Sequence, residues 1–107
     1  MTYYHTKDEA LAAEALEYRA IKHIDGELYK VGLEKRLWEA YEFLTGWLHG
    51  RRWEGLQHIT EEELCKRVAE SLENTANSES PLTFAVSFRQ HVSWMYWHVT
   101  GRGIPNA

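Results

Sequence analysis

The sequence predicts an all-α fold, a compact bundle of about four helices with a polar loop before the last helix. Apolar residues recur at intervals of three and four, which places them on one face of a helix. The alternation typical of strands is scarce. The chain has 107 residues, 44% hydrophobic and 13% aromatic, so a single helical domain over residues 1–107 is expected.

The first helix is predicted from Asp8 to about Ile24, after a flexible arm over residues 1–6. Its start is rich in alanine and glutamate, which favour helices, and Thr6 is the expected N-cap. The pair Asp25-Gly26 should end it. Its apolar stripe consists of Leu11, Ala15, Tyr18, Ile21 and Ile24.

The second helix is predicted from Leu33 to His49, with Gly50 as its end and an irregular segment over residues 50–59. The spacing of its apolar residues indicates a stripe that faces the core. That stripe consists of Leu33, Leu37, Tyr41, Leu44 and Leu48.

The third helix has the clearest local signal. Thr60 followed by Glu63 matches a capping box, and the helix should run to about Asn74 with Leu64, Val68 and Leu72 inward. Residues 74–81 form a polar loop.

The fourth helix is predicted from Leu82 to Thr100, with a short strand over residues 83–88 as the alternative. Gly101 should end it. Its stripe consists of Phe84, Phe88, Val92, Met95 and Val99.

Charge and composition exclude several classes of protein. The net charge of −4 disfavours a broad surface for nucleic-acid phosphates. No apolar run reaches the roughly 18 residues of a membrane span, and the start lacks the pattern of a signal peptide. The one cysteine, Cys65, excludes an internal disulfide and a cysteine-cluster zinc site. These features predict a cytoplasmic protein that binds neither nucleic acid nor membrane.

Six histidines raise the question of a metal site. His91 and His98 are seven residues apart, about 10 Å along a helix, which is too far for one ion. His49 and His58 flank the irregular segment and form a candidate pair. Neither the H-E-x-x-H nor the Glu-x-x-His pattern occurs. Surface histidines are therefore favoured, and no metal or cofactor is expected to bind directly.

Nucleophilic and acid–base catalysis have little support. Cys65 lies early in the third helix. A helix N-terminus favours a reactive thiolate, but the three acids just before Cys65 oppose this effect, so a small buried or half-buried residue is favoured. The triplet Glu61 to Glu63 is explained by capping and by the helix dipole. Neither a Gly-x-Ser-x-Gly elbow nor a P-loop occurs. Catalysis by this chain alone is not expected.

The aromatic content exceeds what four short helices need, so some aromatic side chains are expected to contact a partner. Arg51 and Arg52 precede Trp53 in the irregular segment, where binding residues tend to collect. The candidate contact aromatics are Trp38, Phe43, Trp47, Trp53, Trp94 and Trp97, and the candidate polar anchors are Arg51, Arg52 and Arg67.

One order of motifs, made mostly of helix patterning, can be compared with a known family. Trp38-Glu39-Ala40 is followed by Phe43, by Leu48-His49 and by the acid-started helix, and the last helix closes in Arg102-Gly103-Ile104. From Leu37 onward, over about 65 residues, this order resembles the helical N-terminal part of nitrile hydratase β subunits. Thiocyanate hydrolase β subunits and the accessory (activator) proteins of nitrile hydratases share that part. The segment before Leu33 is not matched.

The resemblance implies contact with a metal-carrying α subunit, which would hold the cobalt or iron. In the β subunits of this family, an arginine lies early in the helix that follows the turn, and it contacts oxidised cysteines of the partner's metal centre. Cys65 stands at that place here, with Lys66 and Arg67 beside it. This departure favours an accessory protein over a subunit that contributes to catalysis.

Several functions stay open on the sequence. The first is an accessory or non-metal-carrying subunit of a nitrile hydratase-like metalloenzyme. The alternative is a small acidic helical inhibitor, immunity or mobile-element protein that presents Glu61 to Glu63 to a basic partner. A metal protein built on the histidines and a DNA-binding regulator are the remaining classes. Self-association into a homo-oligomer also stays open.

Overall fold

A computed structural model describes residues 16–79 and 82–103. Over these residues the fold is α+β, with three helices and two small antiparallel sheets, so the all-α prediction is wrong. The elements are β1 (Glu17–Lys22), β2 (Leu28–Leu33), α1 (Lys35–Thr45), β3 (Trp47–Leu48), β4 (Arg51–Arg52), a 3₁₀ turn (Glu54–Leu56), α2 (Glu61–Thr75) and α3 (Phe84–Thr100).

The second half of the first predicted helix is a strand. β1 pairs antiparallel with β2, so that Glu17 lies opposite Leu33. Tyr18, which the helical stripe placed inward, is 59% exposed, whereas Ile21 and His23 are buried at alternate positions. Residues 1–15, with the predicted arm and the Thr6 cap, lie outside the described residues. The burial period of two shows that strand pairing prevails over helix propensity here.

Asp25 and Gly26 turn a hairpin rather than end a helix. The His23 amide donates to the Glu27 carbonyl at 2.9 Å, and the Gly26 amide donates to the His23 carbonyl at 3.0 Å. Gly26 has a φ of 84°, in the left-handed region that glycine adopts without a steric penalty. The Asp25 Oδ1 accepts from the Glu27 amide at 2.9 Å. A three-residue loop with glycine at its last position is a common hairpin connection.

The second predicted helix is shorter at both ends. α1 ends at Gly46, whose φ is 82° and whose amide donates to the Glu42 carbonyl. The predicted stripe residues Leu33 and Leu48 therefore belong to strands β2 and β3. Leu37 and Leu44, within α1, are buried as the spacing predicts.

The third and fourth helices follow their local signals. The Thr60 Oγ1 accepts from the Glu63 amide at 3.1 Å, which confirms the predicted cap. α3 begins at Phe84 with Thr83 as its N-cap, so the alternative strand over residues 83–88 is wrong. Gly101 ends α3 in a left-handed conformation, as predicted. No helix in the described ranges is long and apolar enough to cross a membrane.

The core lies where α1, α2 and the face of β2 pack against α3. Trp38 occupies its centre and is 0% exposed. Its Nε1 donates to the Glu17 carbonyl of β1 at 2.8 Å. Its ring lies 5.5 Å from the ring of Tyr41 and 6.0 Å from that of Phe88. Trp38 was predicted to contact a partner, and it is instead a core residue with its surface covered by this chain.

Replacing Trp38 with alanine should lower the free energy of unfolding by about 3–5 kcal/mol, because it leaves a large cavity and removes the hydrogen bond to the Glu17 carbonyl. Urea unfolding followed by circular dichroism measures the change. The matched control is Trp97→Ala, since Trp97 is 54% exposed; it should cost less than about 1 kcal/mol. Equal losses in the two variants would contradict this assignment of the core.

Burial raises the pKa of Tyr41 to about 12, from an ordinary value of 10. The stability that this hydroxyl contributes is fully present below pH 10 and is lost as the pH rises through about 12, because the unfolded chain ionises first. Unfolding titrations should therefore show a fall of up to about 2.5 kcal/mol over that window. Tyr41→Phe should reduce this fall, whereas Tyr18→Phe, at an exposed ring, should leave it unchanged.

Candidate partner-binding surface

Strands β3 and β4 form a short ribbon that extends from the C-terminal end of α1. Trp47 lies opposite Arg52, and Leu48 lies opposite Arg51. The two residues of the turn have positive φ, 54° at His49 and 75° at Gly50. Positive φ at both central residues is the requirement of a type I′ hairpin turn, whose twist matches that of the strands. We name residues 47–53 the Trp–Arg ribbon.

The ribbon carries an arginine–tryptophan pair on each of its faces. Because side chains alternate along a strand, Trp47 and Arg52 share one face, and Leu48, Arg51 and Trp53 share the other. The Arg52 guanidinium carbon lies 4.9 Å from the centre of the Trp47 ring. The Arg51 guanidinium carbon lies 5.1 Å from that of Trp53. Both are cation–π contacts between exposed residues.

Backbone hydrogen bonds fix the base of the ribbon. The Trp53 amide donates to the Gly46 carbonyl at 2.8 Å, and the amides of His58 and Ile59 donate to the Leu44 carbonyl at 2.9 and 3.0 Å. A Cβ at Gly46 would lie 2.7 Å from the Trp53 carbonyl oxygen. The chain that leaves α1 and the chain that leaves the ribbon are therefore held together at the base of the ribbon.

The face of the ribbon that carries Trp47 and Arg52, its inner face, contacts the first turn of α2. The Arg52 Nη2 forms an ion pair with the Glu61 carboxylate. The next two acids pair along the helix, Glu62 with Lys66 at 3.6 Å and Glu63 with Arg67 at 3.7 Å. Each pair is solvent-exposed and contributes little to stability. The acidic triplet is nevertheless engaged by cations of its own chain and does not form an unpaired acidic face.

A second group of exposed aromatics lies on α3. Trp94 and Trp97 are 48% and 54% exposed. The centre of the His98 ring lies 4.2 Å from that of Trp94 and 5.7 Å from that of Trp97. We name these three residues the α3 aromatic edge.

A groove of about 340 Å³ lies between α2 and α3, next to the α3 aromatic edge. The structure thus brings together two residues that the sequence proposed separately, Arg67 and Trp94. The lining residues are Arg67, Glu70, Ser71, Asn74, Thr75, His91 and Trp94.

Phe43 lies apart from both groups and is 42% exposed. Its ring stacks on that of His58 at 4.8 Å and meets that of Tyr96 at 5.7 Å. Among the nine residues predicted to bind a partner, Trp38 is the one whose side chain is wholly internal. Partner binding by the other eight stays a prediction.

The histidines considered as ligands are dispersed. His49 lies in the ribbon turn, His58 stacks on Phe43, and His91 and His98 lie two turns apart on α3. The Nδ1 of His91 lies 2.8 Å from the Ser87 carbonyl oxygen, so this nitrogen is assigned as the protonated donor. Over residues 16–79 and 82–103, no three side chains of the types His, Cys, Asp or Glu form a group that could hold a metal ion.

Cys65 is buried, with its Sγ 3.6 Å from the Lys22 carbonyl oxygen. Burial raises the pKa of the Cys65 thiol, and the charge of Asp25 adds to this effect. Both effects disfavour the reactive thiolate.

Sequence reasoning missed the exposure of two leucines, Leu48 within the ribbon and Leu56 in the 3₁₀ turn that follows it. Leu48 was assigned to a core stripe and Leu56 to an irregular segment, yet each is 47% exposed. The signal was Gly50 between two short runs, Trp47-Leu48 and Arg51-Arg52, because glycine marks turns. Gly46, directly before the ribbon, also marks the point where the helix ends.

A scan of protein-family models, a search of curated proteins and a search of solved structures each found no match to this chain. The interpretation of the exposed surface therefore rests on its geometry and on the motif order described above.

The rigidity of the ribbon can be tested at two glycines, Gly50 in its turn and Gly46 at its base. Gly50→Ala places a Cβ in open space and should cost about 1 kcal/mol, from the positive φ alone. Gly46→Ala adds a steric conflict with the Trp53 carbonyl to a similar φ, and should cost about 2 kcal/mol more. Denaturant unfolding of both variants checks the difference, and equal costs would argue against a tightly held base.

Proposed function

We propose that the protein acts by protein–protein contact, as an accessory or non-metal-carrying subunit of a nitrile hydratase-like cytoplasmic metalloenzyme. The observation that carries the proposal is a set of four tryptophans that are 36–54% exposed, two of them stacked with arginines. Tryptophan and arginine are enriched at protein interfaces and dominate their binding energy. The four tryptophans are Trp47, Trp53, Trp94 and Trp97.

The motif order supports the choice of enzyme class. The stretch from Leu37 onward, which carries the resemblance, contains most of α1 together with α2 and α3. α2 begins with three acids, and α3 is followed by Arg102 and Gly103, as in the family pattern. In this resemblance the ribbon corresponds to the glycine-containing turn of the family pattern.

The chemistry of the chain's own residues supports a helper rather than a catalyst. Burial disfavours the thiolate of Cys65, and the resemblance aligns this residue with an arginine of the β subunits. In this proposal the partner supplies the cobalt or iron and the reacting groups. This chain supplies an aromatic surface that covers the partner.

The acidic-inhibitor alternative has weaker support. It requires Glu61 to Glu63 to face a basic partner, and each of these carboxylates already lies beside a cation of its own chain. The acids also begin α2, where the helix dipole favours negative charge.

Affinity capture with the tagged full chain from its source cells tests the proposal. A metal-carrying subunit should be recovered, with cobalt or iron detected in the eluate by mass spectrometry. Trp53→Ala and Trp97→Ala are tested separately. The variant that removes an anchoring tryptophan should lower the recovery of the metal-carrying subunit by at least about 30-fold. Leu28→Ala is the matched control, because Leu28 is 67% exposed on β2, away from both groups.

A wild-type eluate without any cobalt- or iron-containing protein would overturn the proposal. Recovery of a metal-free basic enzyme would favour the inhibitor alternative. Undiminished recovery with both tryptophan variants would show that these aromatics do not form the interface.

A further inference from the structure

We propose that the outer face of the Trp–Arg ribbon, formed by Leu48, Arg51 and Trp53, docks a partner segment that carries carboxylates among apolar side chains. The inference rests on the proposed action through protein contact. It does not depend on which protein the partner is.

Arg51 provides the charge that selects the partner. The other arginine of the ribbon, Arg52, is engaged by Glu61. Among the residues that the structure describes, Arg51 has no ion pair, and its guanidinium lies over the Trp53 ring. A guanidinium that stacks through its face keeps its edge N–H groups for a carboxylate, which it can bind with two parallel hydrogen bonds. An exposed, pre-positioned cation of this kind is complementary to an acidic side chain.

Apolar side chains flank this cation on its own face of the ribbon. Leu48 lies opposite Arg51 and Trp53 lies beneath its guanidinium, and each is 47% exposed. Aliphatic side chains beside a cation fit a protein segment of mixed apolar and acidic residues. They fit a phosphate backbone poorly, and the net charge of −4 also opposes a polyanion. A nucleic-acid strand is therefore disfavoured as the occupant.

The ribbon is also suited to docking because it is already ordered. The type I′ turn at His49 and Gly50 sets its twist, and the hydrogen bond from the Trp53 amide to the Gly46 carbonyl fixes its base. Binding to a surface that is already rigid loses little conformational entropy.

The test is a nuclear magnetic resonance titration of the full chain, read at the indole N–H signals of its five tryptophans. Single Trp→Phe variants at 47, 53, 94 and 97 assign these signals. The probe is a short synthetic peptide of alternating glutamate and leucine. We expect the Trp53 signal to shift most, the Trp47 signal less, and the Trp94 and Trp97 signals to stay in place.

Arg51→Gln should weaken binding of this peptide about 3- to 10-fold. Raising NaCl from about 50 to about 500 mM should weaken it as well. The matched control is Lys30→Gln, because Lys30 also lies over an exposed aromatic ring, with its Nζ 4.9 Å from the centre of Tyr18. This control should leave the affinity unchanged.

Three outcomes would overturn the inference. One is no shift of Trp53 with millimolar acidic peptide. Another is an equal shift with a lysine–leucine peptide, which would indicate apolar contact alone. The third is tighter binding of a short oligothymidylate, which would assign the ribbon to nucleic acid. Each is independent of the capture experiment, so this inference and the proposed function can fail separately.

Discussion

The buried indole of Trp38 is the contact on which the arrangement of the described elements depends. Its Nε1 donates to the Glu17 carbonyl, which joins α1 to β1, and its ring meets Phe88 of α3. Arg19, also on β1, places its guanidinium carbon 4.7 Å from the centre of the indole ring. A slip of one residue in β1 would remove that carbonyl and turn the buried side chain of Ile21 outward. Trp38 therefore fixes the strand register and the position of α1 together.

Local signals predicted the elements that need no distant partner. The Thr60 cap and the Gly101 end are set by residues within one helical turn, so the sequence suffices for them. β1 is different, because Tyr18 and Ile21 fit a helical stripe as well as a strand. β1 is a strand because it pairs with β2. In β2 the apolar residues Tyr29, Val31 and Leu33 alternate with other residues, which is typical of a strand. This alternation bears on β1 only if residues 24–27 are recognised as a hairpin turn.

The candidate surface was predictable in composition and not in arrangement. The sequence indicates that arginines and tryptophans collect near residue 51, but which arginine stacks on which ring depends on a two-residue register. Composition also cannot separate Trp38 from Trp47. The first lies on the inner face of α1, and the second lies past Gly46, where the helix has ended and the chain has left the core.

Two arginines that are adjacent in sequence acquire different physical roles from this register. Arg52 faces α2, where it pairs with the Glu61 carboxylate and lies over the Trp47 ring while staying exposed. Arg51 turns outward with Trp53, and its charge is left for solvent or for a partner. The Arg52–Glu61 pair is itself exposed and weak, so the backbone bonds at the base of the ribbon, rather than this pair, keep the ribbon in place. Because the support lies in the backbone, the outward side chains can be specialised for recognition at little cost to folding.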